Sequence, residues 1–235
     1  MALLLTAAVA WGYKMTPMTA PCVCIDYTIA DADERLYLTE NELELLLRAE
    51  NLHPVGKALN SLSLHRIERA VAQHPMVRTA ECYLTPRNEV RVTLTQRVPV
   101  LRVQTMNETY LIDTDRRVMQ ARATVRDQVP LVTGTVGIQM ATNQLADFAE
   151  WLKGNAYWRA RIHHLQVKAP HMVYIYLKDE NGTVRSERVL LGSLNDYERK
   201  LAKLRIFLEN GSEATQNQQY SEIDLRFHGQ VIGRH

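Results

Sequence analysis

Between Thr39 and Leu94 the spacing of apolar residues changes period, and that change restricts the fold more than any other feature of the sequence. Leu43, Leu46 and Leu47, then Leu64, Ile67 and Val71, recur at helical spacing. From Val77 onward Ala80, Cys82 and Leu84, then Val90, Val92 and Leu94, recur at every second residue, the spacing of strands with one buried face. Thr39-Glu40-Asn41-Glu42 is a capping box, so the first helix starts there and is expected to run to Glu50, ahead of Gly56. The second starts after Ser63 as N-cap and must stop before Pro75. Thr85-Pro86-Arg87-Asn88 is turn chemistry joining the two alternating runs into a hairpin. With a strand over Cys24 to Ile29 the order becomes β-α-α-β-β. An antiparallel sheet carrying both helices on one side is the simplest way to bury these faces.

Beyond Pro99 strand signals dominate, at Val100–Val103, Tyr110–Ile112, Val129–Val132, Leu165–Val167, Val173–Leu177 and Arg188–Leu191. Two helical stripes interrupt them. Leu145, Phe148 and Leu152 follow Thr142; Tyr197, Leu201, Leu204 and Leu208 follow Ser193, with Asp196 completing a capping pattern and Asn210-Gly211 expected to close the helix. Ser212 to Gln219 is expected to be a solvated loop. The chain is therefore expected to be α+β: a β-α-α-β-β module followed by a mostly antiparallel β domain with flanking helices.

Near the carboxyl terminus, Glu222 to His228 alternates strictly. Ile223, Leu225 and Phe227 are expected on a core face, with Glu222, Asp224, Arg226 and His228 on a solvent face. His228-Gly229 can turn the chain, and Gln230 to Arg234 can pair back as a last strand with an open side. Such an edge can take a strand from another chain, although charges beside it can equally serve to prevent pairing.

The charge balance excludes several classes. Twenty-eight Lys plus Arg against 26 Asp plus Glu leaves +2, without segregation, so no nucleic-acid footprint is present. Cys22, Cys24 and Cys82 make neither a disulfide framework nor a zinc-ligand pattern, and are expected as unpaired thiols. No GxGxxG, P-loop, GxSxG or HExxH occurs. His163-His164 with His171 is the densest histidine group, but neighbours on a strand point to opposite faces and make a poor metal site. Asp31, Asp33 and Glu34 open like a calcium loop, yet Arg35 stands at the fifth position and no glycine follows. No catalytic, cofactor-binding or metal-ligating residue is assigned. A hydrolase acting through His163 or His171 has no motif behind it.

Ala2 to Trp11 is apolar and is followed by Gly12, Tyr13 and Lys14. As a helix this dozen residues would reach about 18 Å, against a hydrocarbon core of about 30 Å. Three readings compete: a signal-peptide core without its charged start, a buried helix, or the outer half of a transmembrane helix. The third is favoured, because Trp11 and Tyr13 sit where an aromatic belt belongs and Met15 to Pro21 reads as an exposed linker.

The stretch SLHRIERAVAQHPMVRTAECYLTPRNEVRVTLTQRVPVLRV resembles the second half of a POTRA (polypeptide-transport-associated) domain as found in the FtsQ/DivIB cell-division proteins. The shared pattern is a helix ending in Pro-Xaa-Val, a hairpin, and an (E/Q)-R-x-P-V junction, here Gln96-Arg97-Val98-Pro99-Val100. YLIDTDRRVM with VPLVTG, and the terminal YSEIDLRFHGQVIGR, follow in the same order as in that family. Asp115-Arg116-Arg117 departs from it, standing where relatives usually carry a glycine; a bulky residue at positive φ is costly, so a different turn type is expected.

The resemblance implies a partial transmembrane anchor over 1–14, a linker over 15–21, a POTRA domain over 22–98 and an FtsQ-type β domain over 99–235. It implies a non-enzymatic divisome scaffold in the bacterial inner membrane, single-pass, its bulk periplasmic, at the division septum. The FtsB/FtsL coiled-coil pair would bind the terminal edge, and other division proteins the POTRA domain. Carried over by matched position, the contact set is Arg226 and Phe227 on one strand and Val231, Ile232, Gly233 and Arg234 on the next. Some relatives place an aromatic where this chain has Arg234, leaving Phe227 or Ile232 as local anchor. No cofactor, nucleic acid or small-molecule substrate is implied. The alternative is a POTRA-bearing component of outer-membrane protein assembly or secretion.

Overall fold

The computed structural model describes residues 18–31, 37–121, 129–179, 181–214 and 220–235. The expected anchor over 1–14 and the acidic pair Asp33 and Glu34 lie outside the described residues. Among the described residues no helix is long and apolar enough to cross a membrane. The chain divides into two compact units, residues 1–96 and 97–235.

The first unit runs β1 (Cys24–Ile29), α1 (Glu40–Ala49), α2 (Leu64–Ala72), β2 (Val77–Leu84) and β3 (Glu89–Gln96), in the expected β-α-α-β-β order. Its sheet has the order β1-β3-β2. β2 and β3 are antiparallel, but β1 lies parallel to β3, so the expected antiparallel sheet is in fact mixed. The reason is topological: the two helices carry the chain across the sheet, and β3 turns back into the middle beside β1. Leu43 and Leu47 of α1 and Ile67 and Val71 of α2, each four residues apart, are buried together with Val90, Val92 and Leu94 of β3. The capping box is present, with the Thr39 amide donating to Glu42 Oε2 at 2.9 Å and the Glu42 amide to Thr39 Oγ1 at 3.3 Å. Met18 and Ala20, expected within an exposed linker, accept backbone hydrogen bonds from Asn60 and Leu59 and so belong to this unit.

Gln96 and Arg97, at the junction of the units, have separate duties. The buried Gln96 side chain accepts from the amides of Tyr37 and Leu38 at 2.8 and 3.0 Å, fixing the approach to α1. Its own amide donates to both Asp31 oxygens, so Asp31 serves the junction rather than a free acidic turn. Arg97 donates to Asp113, a carboxylate with no exposure, at 2.9 Å within the second unit.

That unit contains β4 (Pro99–Gln104), β5 (Thr109–Asp113), β6 (Val118–Gln120), β7 (Leu131–Gly134), α3 (Ile138–Met140), α4 (Ala146–Gly154), α5 (Ala156–Arg161), β8 (Ile162–Ala169), β9 (Met172–Lys178), β10 (Val184–Gly192), α6 (Tyr197–Ala214), β11 (Glu222–Asp224) and β12 (Ile232–Arg234). A π turn, Ala141–Leu145, joins α3 to α4. Among the described residues nine strands form one sheet in the order β12-β11-β10-β9-β8-β7-β4-β5-β6. Antiparallel pairs predominate, as expected, with parallel pairing at β4–β7, β7–β8 and β10–β11.

Register makes one continuous apolar row. Tyr110, Val103, Val132, Leu165, Ile175, Val189 and Ile223 are successive cross-strand partners, all in the buried core, and the row ends on Gly233 at the edge. Phe148 of α4 packs against Trp151 and against Tyr197 of α6, with ring centroids 5.7 and 5.1 Å apart, so both helices cover this face.

Three local expectations are corrected. α6 begins at Tyr197 rather than after Ser193, because Leu194 is buried first and Asp196 takes a positive φ of 52°. It also passes through Asn210-Gly211 to Ala214, since glycine permits a left-handed stop without requiring one; Ser212 to Ala214 are helical, and 215–219 lie outside the described residues. In the β5–β6 turn, Arg116 does take positive φ, at 63°. The Arg116 amide donates to Asp113 O and the Arg117 amide to Asp113 Oδ1, while the Arg116 guanidinium reaches Asp147 at 2.7 Å and Glu150 at 2.9 Å. Those contacts offset a conformational cost of roughly 1–2 kcal/mol.

Removing Arg97 should leave Asp113 charged and buried. Arg97→Ala is expected to lower unfolding free energy by about 3 kcal/mol, and adding Asp113→Asn should restore part of it; denaturant titration of both variants measures this.

Candidate functional site: the terminal sheet edge

Strand β11 is expected to continue to His228, but it stops at Asp224 because that residue's carboxylate recruits the chain that follows it. Arg226 donates its amide to Asp224 Oδ1 at 3.0 Å and its Nη2 to Oδ2 at 2.8 Å, pulling the backbone out of the extended path. Alternation is lost with it. Ile223 and Leu225 are core residues as expected, whereas Phe227 is 44% exposed and is not. Arg226 and Phe227 thus lie beyond the strand, in the turn that Gly229 completes at a φ of 76°.

Of the four residues expected on the solvent face, Arg226 and His228 are exposed, but Glu222 and Asp224 are buried instead. Glu222 is 6% exposed and Asp224 is fully buried. Three arginines make that burial tolerable, because a buried carboxylate requires a partner. Arg188 on β10 donates to Glu222 at 3.0 Å; Arg234 on β12 reaches Glu222 at 3.4 Å and Asp224 at 2.9 Å; Arg226 holds Asp224 from the turn. Burial by itself would raise the Asp224 pKa, but the hydrogen bonds from Arg226 and the charge of Arg234 outweigh it and hold the carboxyl below its ordinary 3.8. For a depressed carboxylate, the stabilisation is fully present above that ordinary value and is lost as the pH falls through the folded one. The pairing of Asp224 with Arg226 and Arg234 therefore persists through neutral and mildly acidic conditions.

β12 pairs antiparallel with β11, Glu222 opposite Arg234, Ile223 opposite Gly233 and Asp224 opposite Ile232. Among the described residues its other side is the edge of the sheet. Two glycines let side chains lie close here. Gly192, at a φ of 78°, leaves room for Arg226, whose Cγ would be 2.7 Å from an added Cβ; Gly233 leaves room for the Tyr220 ring, 2.3 Å from its own added Cβ. Tyr220 stacks on His235 at 5.2 Å and tilts against Phe207 of α6 at 6.1 Å. Lys203 of α6 donates to the carbonyls of Phe227 at 2.8 Å and Gln230 at 3.4 Å, fixing the turn from the helix side.

The six residues carried over by resemblance are thus brought together at one edge but divided between its faces. Arg226, Ile232 and Arg234 stand with the ion network. Gly233 and Val231 face the helix side, where Val231 packs against the core, and Phe227 projects from the turn. Sequence reading missed the buried roles of Glu222 and Asp224, and also Lys203 and Tyr220. The available signal was the carboxylate-arginine spacing Glu222, Asp224, Arg226, Arg234, which reads as a solvated face until Arg188 is known to lie alongside.

Elsewhere His163 and His164 do not diverge as expected. A register irregularity between Ile162 and His164 brings their Nδ1 atoms to 2.7 Å, and His164 stacks on Tyr176 at 4.3 Å. Burial, then the neighbouring His163, lowers the His164 pKa. Among the described residues no group of three or more potential ligands gathers for a metal ion. A groove of about 460 Å3 between β1 and α1 is lined by Tyr27, Glu40, Glu44, Arg48 and His53, but Glu44 already pairs with Arg48 and His53.

Gly233→Ala should displace the Tyr220 ring and cost about 1–2 kcal/mol. With Tyr220→Ala also present the added methyl should cost close to nothing, and a double-mutant cycle on thermal unfolding reads that coupling.

Comparison with known families agrees with this architecture. A POTRA-like domain model matches residues 20–95. The model described as FtsQ/DivIB, C-terminal related, matches residues 98–234, which take in the ion network and β12. No curated protein matches the sequence closely enough to serve as a relative. With more than half of its length matched by that second model, and the POTRA-like unit before it, the chain belongs to the FtsQ/DivIB family of cell-division proteins.

Proposed function

We propose that this protein is a non-enzymatic scaffold of the division machinery, single-pass in the inner membrane with its bulk in the periplasm. It receives the membrane-proximal part of an FtsB/FtsL-type coiled-coil pair at the edge of β12 and so links early and late division proteins at the septum. The POTRA-like unit serves other division proteins. The observation that carries this reading is the open backbone edge of β12 inside the family-matched region. A sheet edge gives affinity through main-chain hydrogen bonds and specificity through side chains at alternating positions. Arg226, Phe227, Val231, Ile232, Gly233 and Arg234 are the contact set, with Phe227 as the exposed anchor.

The FtsQ/DivIB-type domain that follows the β-α-α-β-β unit favours this over an outer-membrane assembly component. A photocrosslinking residue placed in turn at Phe227 and at each position from Gln230 to Arg234 should trap a small coiled-coil protein in dividing cells. Alternate positions of β12 should differ in yield, as alternate side chains face opposite sides. Absence of any such adduct along the whole segment would remove the docking reading.

A further inference from the structure

Resting on that docking reading, we infer that Glu222 and Asp224 are positioning residues which hold the edge strand in its binding register before a partner arrives. β12 has only three residues and lies at the edge of its sheet among the described residues. An edge strand that short, with few backbone bonds and solvent on its open side, opens locally unless tied down. Backbone pairing to β11 is equally short, and on the apolar side Val231 packs partly against the core while Gly233 offers room for the Tyr220 ring. The Ser221 amide donates to the Arg234 carbonyl at 2.8 Å, and the side-chain tie that crosses strands is Arg234, whose guanidinium spans both carboxylates at 3.4 and 2.9 Å and whose register partner is Glu222. Glu222 is tied in turn to Arg188 on β10, so the clasp runs across three strands: β12, β11 and β10.

The Arg234 side chain is spent on holding β12 rather than reaching outward. Asp224 has no exposed surface, so it acts on a partner solely through the strand it holds. Arg226 shares Asp224, which couples the turn bearing Phe227 to the same clasp. A preformed edge spares a partner the cost of ordering it.

Asp224→Asn separates positioning from contact, since it keeps shape, removes charge and lies out of a partner's reach. In the full chain without partner, hydrogen exchange at Glu222–Asp224 and Ile232–Arg234 should rise at least tenfold, with β8 and β9 unchanged. Affinity for the purified FtsB/FtsL pair of the same cell should fall at least tenfold. Arg234→Gln, at an exposed side chain, should do the same and keeps the test open if Asp224→Asn does not fold; Arg234→Lys should recover part of both effects. Unchanged exchange at the edge in both variants overturns the clasp. Faster exchange with undiminished affinity overturns its positioning role. If the wild-type chain fails to bind the pair, the docking reading falls and takes the positioning role with it, whereas the exchange pattern still reports on the clasp separately.

Discussion

Two carboxylates buried on a three-residue strand can stay charged only if cations come to them, and the terminal part of this protein is arranged around that requirement. Arg188, Arg226 and Arg234 arrive from a central strand, a turn and the edge strand. Together they decide where β11 stops, how the following turn folds and where β12 lies. Breaking a buried pair is far more damaging than the pair's net worth, because the abandoned charge keeps its desolvation cost. Stability from such a network is modest; register is what it specifies. On the opposite face the apolar row ends at Gly233, and Tyr220 closes the core there with its ring.

The same logic recurs at the junction of the two units. Gln96 satisfies two amides ahead of α1, and Arg97 neutralises Asp113 where β5 turns into β6. Adjacent residues thus terminate one unit's hydrogen-bond accounting and begin the other's. The Gln-Arg pair of the junction pattern has a structural cause in this chain that needs no partner.

Much of this was legible in the sequence because period and capping are local. The helical stripes of Leu43 and Leu47 and of Ile67 and Val71, the Thr39 capping box and the hairpin of β2 and β3 all appear where spacing places them. What escaped was decided by distant chain. The parallel pairing of β1 with β3 depends on a crossover, and the burial of Glu222 depends on Arg188, more than thirty residues earlier. Strict alternation places Phe227 in the core because it cannot register that an aspartate has bent the backbone ahead of a turn. The positive φ of Arg116 escapes the expectation of a different turn type because the carboxylates that hold it there, Asp147 and Glu150, lie on another element. At the candidate site, the edge and its turn could be read from residues 222 to 234, but the division of those residues between two faces could not.

The account turns on whether β12 accepts a strand from outside. Nuclear Overhauser contacts between isotope-labelled full-length chain and an unlabelled FtsB/FtsL pair test this directly. Sequential inter-chain contacts from the backbone protons of Val231 to Arg234 to an extended partner segment are the predicted result. Contacts confined to the first unit, with the β12 backbone resonances unmoved on adding the pair, would contradict it.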